Sequence, residues 1–283
     1  MVWPTDGGPL PAPSGQQRTR DMYNFDFVKP TTLAEAIEAL QSDEAQPLSG
    51  GQTLLPTMKQ RLAMPETLVS LTAIPELQGV TIADGTITVG GATTHAVVSR
   101  ETAEAYPALS KLAGGIGDAA VRNRGTIGGS LANNDPAACY PAAALGSDAV
   151  ILTNNREIPA DDYFEGLFTT ALDEGEIVTG VRFPIPEAAA YIKFEQPASR
   201  FALTGVFVAK FADGVRVAAT GASEDGVFRW TEAEEALTAS FTPEAIAELT
   251  VEADGMMNDL HGTAAYRANL VKVLTGRAVA ASL

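Results

Sequence analysis

Two short stretches of the chain carry small, hydrogen-bonding residues in an order suited to holding an anion. One is Pro47-Leu48-Ser49-Gly50-Gly51-Gln52-Thr53-Leu54-Leu55-Pro56; the other is Arg124-Gly125-Thr126-Ile127-Gly128-Gly129-Ser130-Leu131-Ala132-Asn133-Asn134-Asp135-Pro136. Each passes from apolar residues through a glycine pair to hydroxyl side chains and a helix-like start. Glycine lets backbone N–H groups approach an anion closely and turn through conformations barred to other residues, and Thr126, Ser130 and Asn133 add side-chain donors. The pair reads as two halves of one phosphate cradle. Glycine pairs ordinarily mark turns, and five occur here, at Gly7, Gly50, Gly90, Gly114 and Gly128, so it is the flanking residues that single out these two.

Other chemistries find less support. No strand-linked glycine triplet has the GxGxxG spacing of a single-turn dinucleotide site, and no paired carboxylates, activated serine or His–Cys arrangement suggests an acid–base or nucleophilic engine. His95 and His261 are the two histidines and lack metal-ligand spacing, so a bound transition metal is not expected, and His95 reads as structural. Cys139, the single cysteine, excludes an intrachain disulfide and a cysteine-ligated iron–sulfur cluster held by this chain alone.

The elements that would carry the loops can be read from periodicity. A short strand is expected over 23–28, a helix over 33–41 begun by a Thr32–Glu35 capping box, a strand over 46–49, a helix over 54–61 and a strand over 67–71. Asp84-Gly85, between alternating runs, predicts a hairpin over 80–89. Helices are expected over 94–99, 101–112 and 137–145, and strands over 149–153 and 176–183. Pro184-Ile-Pro186 marks the best boundary. Beyond it, strands over 191–194, 203–211 and 215–221 precede helices over 231–237, 243–253 and 264–281, an α+β order. This gives an N-terminal extension over 1–21, a larger domain over 22–186 and a smaller C-terminal domain over 187–283.

At 283 residues the chain can bury a substantial core. Its 19 basic against 35 acidic residues, a net charge of −16, argue against nucleic acid as a partner. No apolar stretch is long enough to span a membrane, residues 1–21 lack the apolar core of a signal peptide, and a cytoplasmic location is expected.

Ser49-Gly-Gly-Gln-Thr-Leu-Leu-Pro56 and Thr126-Ile-Gly-Gly-Ser130 with Asn133-Asn-Asp-Pro136 resemble the two FAD-binding loops of molybdenum hydroxylase flavin subunits. That family contains the medium subunit of aerobic carbon monoxide dehydrogenase and the flavin domain of xanthine dehydrogenase. The resemblance runs from about Tyr23 to Ala281. It implies a PCMH-type (vanillyl-alcohol-oxidase-like) two-part FAD cradle, followed by a smaller domain of antiparallel strands and helices. It further implies that Ser49, Gly50, Gly51, Gln52, Thr53 and Leu54 meet the pyrophosphate and flavin side, with Gly125, Thr126, Gly128, Gly129 and Ser130 in the facing loop. Ile116 and Gly117, in Gly114-Gly-Ile-Gly-Asp118, flank the cofactor, and Val178 belongs to the same set. Asn133 and Asp135 are assigned to the adenosine half, Lys193 to the flavin, where a cation favours the reduced anionic ring, and Phe201 to the isoalloxazine. Cys139 departs from the pattern: many relatives carry there an aspartate that accepts hydrogen bonds from the ribose. A thiol accepts weakly, so Asp135 takes over or the adenosine is held less tightly.

The function implied is an oxidoreductase: the FAD-carrying electron-transfer subunit of a molybdenum hydroxylase. A large molybdopterin subunit oxidises substrate, a small iron–sulfur subunit relays electrons, and the whole assembles as a dimer of heterotrimers. The alternatives are a self-contained FAD-dependent oxidase or reductase, for which no proton acceptor stands out, and a non-catalytic subunit whose glycine loops are structural.

Overall fold

The computed structural model describes residues 22–283, so the extension expected over 1–21 lies outside the described residues. The chain opens with β1 (Asp26–Val28), α1 (Leu33–Ala39), β2 (Ala45–Leu48), α2 (Leu54–Lys59) and β3 (Thr67–Ser70). The three strands pair in parallel in the order β1-β3-β2. Thr32 caps α1 by accepting from the Glu35 N–H, but the Glu35 carboxylate returns to the N–H of Thr31, one residue earlier than a capping box requires. Pro56 sits in the first turn of α2, where its missing N–H has no helical partner to lose. Ala36 and Leu40 close this unit over Val69, Leu71, Ile74 and Leu77.

The hairpin of β4 (Val80–Ala83) and β5 (Thr86–Gly90) turns at Asp84 and Gly85, with φ of 51° and 73°. Both central residues have positive φ, in the left-handed region, as a primed turn demands. Then come α3 (His95–Glu101), α4 (Pro107–Gly114), α5 (Ala119–Arg122), α6 (Ile127–Asn133), α7 (Tyr140–Gly146), β6 (Val150–Thr153), β7 (Glu157–Pro159), α8 (Ala160–Tyr163), β8 (Phe164–Gly166), β9 (Thr169–Thr170) and β10 (Val178–Pro184). The helix expected over 101–112 starts only at Pro107, because proline fits the first helical position and not an interior one. That expected over 137–145 starts at Tyr140, after Asp135 Oδ1 has captured the Ala137 N–H at 2.8 Å. A five-stranded antiparallel sheet, ordered β4-β5-β10-β6-β7, carries these helices on one face.

The remaining chain forms β11 (Ala188–Glu195), β12 (Ala202–Phe211), β13 (Gly214–Ser223) and β14 (Gly226–Arg229), an antiparallel sheet in sequence order, with α9 (Thr231–Ala239) and α10 (Ala264–Ser282). Strand alternation splits this sheet between two cores. Phe207, Ala209 and Ala218 join the core around α4, α6 and α7, while Val206, Val208, Val217 and Ala219 pack beneath α9 and α10. Both faces are therefore covered, and β12 is buried from Ala202 to Ala209. The helix expected over 243–253 is a correction: only a 3-10 turn, Pro243–Ile246, forms there. Leu249, Val251 and Ala253 recur every second residue, and an extended segment lays all three on the core.

Candidate functional site

Ser49–Thr53 links β2 to α2 as a strand-to-helix turn, and Gly51 adopts φ +68°. The N–H groups of Gly50, Gly51, Gln52 and Thr53 meet no protein acceptor among the described residues. They form a run of open donors. In the facing loop Thr126 caps α6, its Oγ1 accepting from the Gly129 N–H at 3.2 Å. The loops touch: Ser49 Oγ lies 2.8 Å from Thr126 Oγ1, and a Cβ on Gly50 would fall 2.6 Å from Gly125 Cα and closer still to the Arg124 carbonyl. Gly50 is glycine because two backbones meet there.

The two glycines of the second pair do different work. Gly128 is buried, donates to Gly91 O at 2.9 Å, and would place a Cβ 2.6 Å from that same oxygen, so it serves the packing of α6 on the turn that follows β5. Gly129 is exposed, and a Cβ there would meet only Thr126 Oγ1 at 3.0 Å and Ser49 Cβ at 3.7 Å, at the gap between the loops. Ser130 and Asn133 are half-buried along α6, and Gln52, Thr53 and Leu54 line the opposite side from α2.

His95 underlies this arrangement. Its backbone N–H donates to Gly125 O at 3.0 Å, and a Cβ on Gly125 would fall 2.6 Å from its Nε2. Burial, reinforced by the Arg122 charge, brings its pKa from 6.5 down to about 4. The folded chain thus holds a neutral imidazole that the unfolded chain protonates below pH 6.5. The associated stability is complete above that pH and is lost as pH falls toward 4, a loss of ~3 kcal/mol. Thermal unfolding followed from pH 7 to 4 should show a flatter decline in His95→Gln than in the parent; parallel curves would show that His95 is not the titrating group.

A second group of residues binds the segment after α4 to the C-terminal sheet. Arg122 Nη1 donates to Ile116 O at 3.1 Å and Gly117 O at 2.8 Å, holding the two backbone positions that the sequence placed beside the cofactor. Lys193, on β11, donates to Gly115 O at 2.7 Å and Arg200 O at 2.8 Å, with Glu195 at 3.4 Å. Its side chain is 7% exposed. Cys139 Sγ lies 3.9 Å from Lys193 Nζ, buried, with burial pushing the thiol up and keeping it protonated. Val178, buried at the start of β10, shapes the floor through its backbone: a Cβ on Gly91 would run into its carbonyl oxygen.

A cavity of about 330 Å³ opens between the end of α6 and the C-terminal domain, lined among others by Asp135, Phe201, Leu203, Met257, Asp259 and Arg267. Here the structure brings together what the sequence assigned apart. Asp135, given to the adenosine half, and Phe201, given to the isoalloxazine, share this one cavity. Cys139, whose counterpart was given to the ribose, touches Lys193, given to the flavin. Asp135 Oδ1 is also engaged locally by Ala137. Arg267 was missed at sequence level, although its spacing to Leu270, Val271 and Leu274 puts a charge on the buried stripe of α10.

A family model described as "FAD binding domain in molybdopterin dehydrogenase" matches residues 23–186, more than half the chain. The chain belongs to this family of FAD-binding subunits. Its relatives include the glyceraldehyde dehydrogenase medium chain of Sulfolobus acidocaldarius, 30% identical over 271 residues, covering 90% of this chain and 96% of that protein. The carbon monoxide dehydrogenase medium chain of Hydrogenophaga pseudoflava is 31% identical over 277 residues, covering 91% and 96%. Among solved structures, carbon monoxide dehydrogenase from Hydrogenophaga pseudoflava superposes with a TM-score of 0.83 at 32% identity, covering 93% of this chain and 98% of that one. The FAD-binding family thus accounts for the α+β, PCMH-type fold and assigns FAD as the cofactor of a medium subunit in molybdenum-hydroxylase oxidoreductases. The residues fit that cofactor, since open N–H groups and a side-chain-free gap at Gly129 suit a pyrophosphate. No helix among the described residues is long and apolar enough to cross a membrane.

Proposed function

We propose that this FAD-binding chain is an electron relay. It takes electrons from iron–sulfur clusters of a small partner subunit and passes them from FAD to an external acceptor, while a large molybdopterin subunit oxidises the substrate. The assembly is a cytoplasmic dimer of heterotrimers. One observation carries the reading: two donor-rich loops meet at Gly50 and Gly125, while a single buried cysteine leaves the chain unable to hold a cluster of its own.

FAD supplies the redox chemistry when bound; the protein supplies position, polarity and access. In this reading Ser49, Gly50, Gly51, Gln52, Thr53 and Leu54 hold the pyrophosphate against the facing loop of Gly125, Thr126, Gly129 and Ser130, with Gly128 packing that loop's helix from behind. Asn133, Ile116, Gly117 and Val178 follow the cofactor's course. Lys193 and Phe201 belong to the flavin end, and Asp135, with Asn133, to the adenosine half. Residues 22–186 form the cofactor domain and 187–283 the domain that closes its far end. No side chain is asked to move a proton or attack a substrate.

The visible absorption spectrum of the chain isolated with its natural partners tests this. Flavin bands overlaid by broad iron–sulfur absorption are expected. Flavin bands alone would replace the relay with a self-contained flavoenzyme, and a chain that takes up no FAD would overturn the cradle itself.

A further inference from the structure

The second glycine loop does not stand alone. Residues 91–95 run antiparallel beside 125–128: Thr94 bridges Thr126, Ile127 N–H donates to Thr93 O at 3.1 Å, and His95 N–H donates to Gly125 O at 3.0 Å. The His95 ring, 5% exposed, is packed against this loop and against α7. A Cβ on Gly125 would lie 2.6 Å from its Nε2 and 3.0 Å from its Cδ2. The ring of Tyr140, the first residue of α7, lies 5.3 Å from it between centroids, tilted by 49°.

No hydrogen bond among the described residues holds either ring. His95 Nδ1 and the Tyr140 hydroxyl are both buried without a partner. The imidazole therefore acts by shape, as a wedge between Gly125 and α7. It bears on the cradle in one step, because Gly125 Cα and the Arg124 carbonyl are the atoms on which Gly50 of the facing loop rests.

That shape serves only while the ring is neutral. An imidazolium in this seat would bury a charge and N–H donors that have no acceptor. Arg122, on α5, repels it, and no carboxylate offsets the cost; α4, packed along α3, brings no charge to bear. The Tyr140 phenol, pushed well up by burial, stays neutral. In water, by contrast, an imidazole is protonated ~30 to 1 at pH 5. Acid thus favours any arrangement in which the ring has left its seat.

We propose that His95 is a positioning residue for FAD: its neutral ring holds Gly125 against Gly50, and its protonation frees the second loop and loosens the cofactor. The inference rests on the FAD cradle assigned above.

The test is titration of the deflavinated full chain with FAD, followed by flavin fluorescence at pH 7, 6 and 5, with circular dichroism confirming the fold at each. The FAD Kd of the parent should rise at least ~10-fold between pH 7 and pH 5. His95→Ala, which removes the wedge, should weaken FAD binding at least ~10-fold already at pH 7. His95→Gln, a non-titrating side chain of similar reach, should recover part of that loss and give a Kd that does not change with pH. A histidine that merely supports the fold would lower stability without moving that profile. A pH-independent Kd in the parent overturns the proposal even where a variant fails to fold. So does a parent-like Kd in His95→Ala, or a pH profile in His95→Gln that follows the parent's. A parent that takes up no FAD at pH 7 overturns the cradle itself, and this inference falls with it.

Discussion

Gly129→Val is expected to empty the chain of FAD while leaving it folded, and Gly128→Val to unfold it. The two positions are neighbours with different surroundings. A Cβ on Gly129 would find only Thr126 Oγ1 at 3.0 Å and Ser49 Cβ at 3.7 Å, the second an ordinary contact, so the protein can absorb the side chain. The space it fills is the gap between the loops, and FAD affinity should fall at least ~100-fold, ~3 kcal/mol. A Cβ on Gly128 would instead lie 2.6 to 3.0 Å from three backbone atoms of Gly91, which cannot swing aside. Forcing that contact should cost ~3 kcal/mol or more. Flavin-to-protein ratio after gel filtration, with thermal unfolding of the apo forms, separates the two. Full flavin content in Gly129→Val would sink the loop assignment, and a parent-like melting temperature in Gly128→Val would sink the packing argument.

Lys193→Met should have the next largest effect. Methionine keeps much of the length of the side chain and removes its ammonium. Gly115 O and Arg200 O would lose their shared donor, each at ~1–3 kcal/mol where burial keeps water out. Since Arg200 is itself exposed, part of its loss is recovered from solvent, and ~2–4 kcal/mol in all is expected. The informative readout is local. Lys193 ties residues 196–201, which carry Phe201, to the segment after α4, and freeing them should speed tryptic cleavage after Arg200 at least ~10-fold, because cleavage follows the population of the open form. Unchanged cleavage would show that the loop is held by other contacts.

How legible each feature was in the sequence follows from the range of the interactions that fix it. Asp84-Gly85 and Pro107 act within a few residues. The first sets the hairpin expected over 80–89, and the second starts the helix at Pro107, inside the span expected over 101–112, because proline fits the first helical turn. The glycine loops were visible because close backbone approach admits one residue type. Even so, the reason differs at each position: Gly50 meets a distant backbone, Gly125 a histidine ring, Gly128 the turn that follows β5. None of those partners is encoded nearby. Leu249, Val251 and Ala253 lie on an extended run in place of the helix expected over 243–253, and their recurrence at every second position is the period of extended chain. The nearness of Cys139 to Lys193 and of Asp135 to Phe201 arises from strands and loops 54 and 66 positions apart along the chain. No local pattern could have shown it.

The hydroxyl pair of Ser49 and Thr126 joins positions separated by 77 residues, one from the parallel sheet and one from the helix behind the antiparallel sheet. Contacts of that separation are closed only after the entropy of a long intervening loop has been lost, so they form late in folding. The core of the small parallel unit is completed by Ala92 and Ile177 from beside the antiparallel sheet, so that core and the groove between the glycine loops both come into being when the two units dock. Flavin uptake during refolding is therefore a clock for that docking step, and a chain released from synthesis with its helices already formed still has no place to put its cofactor.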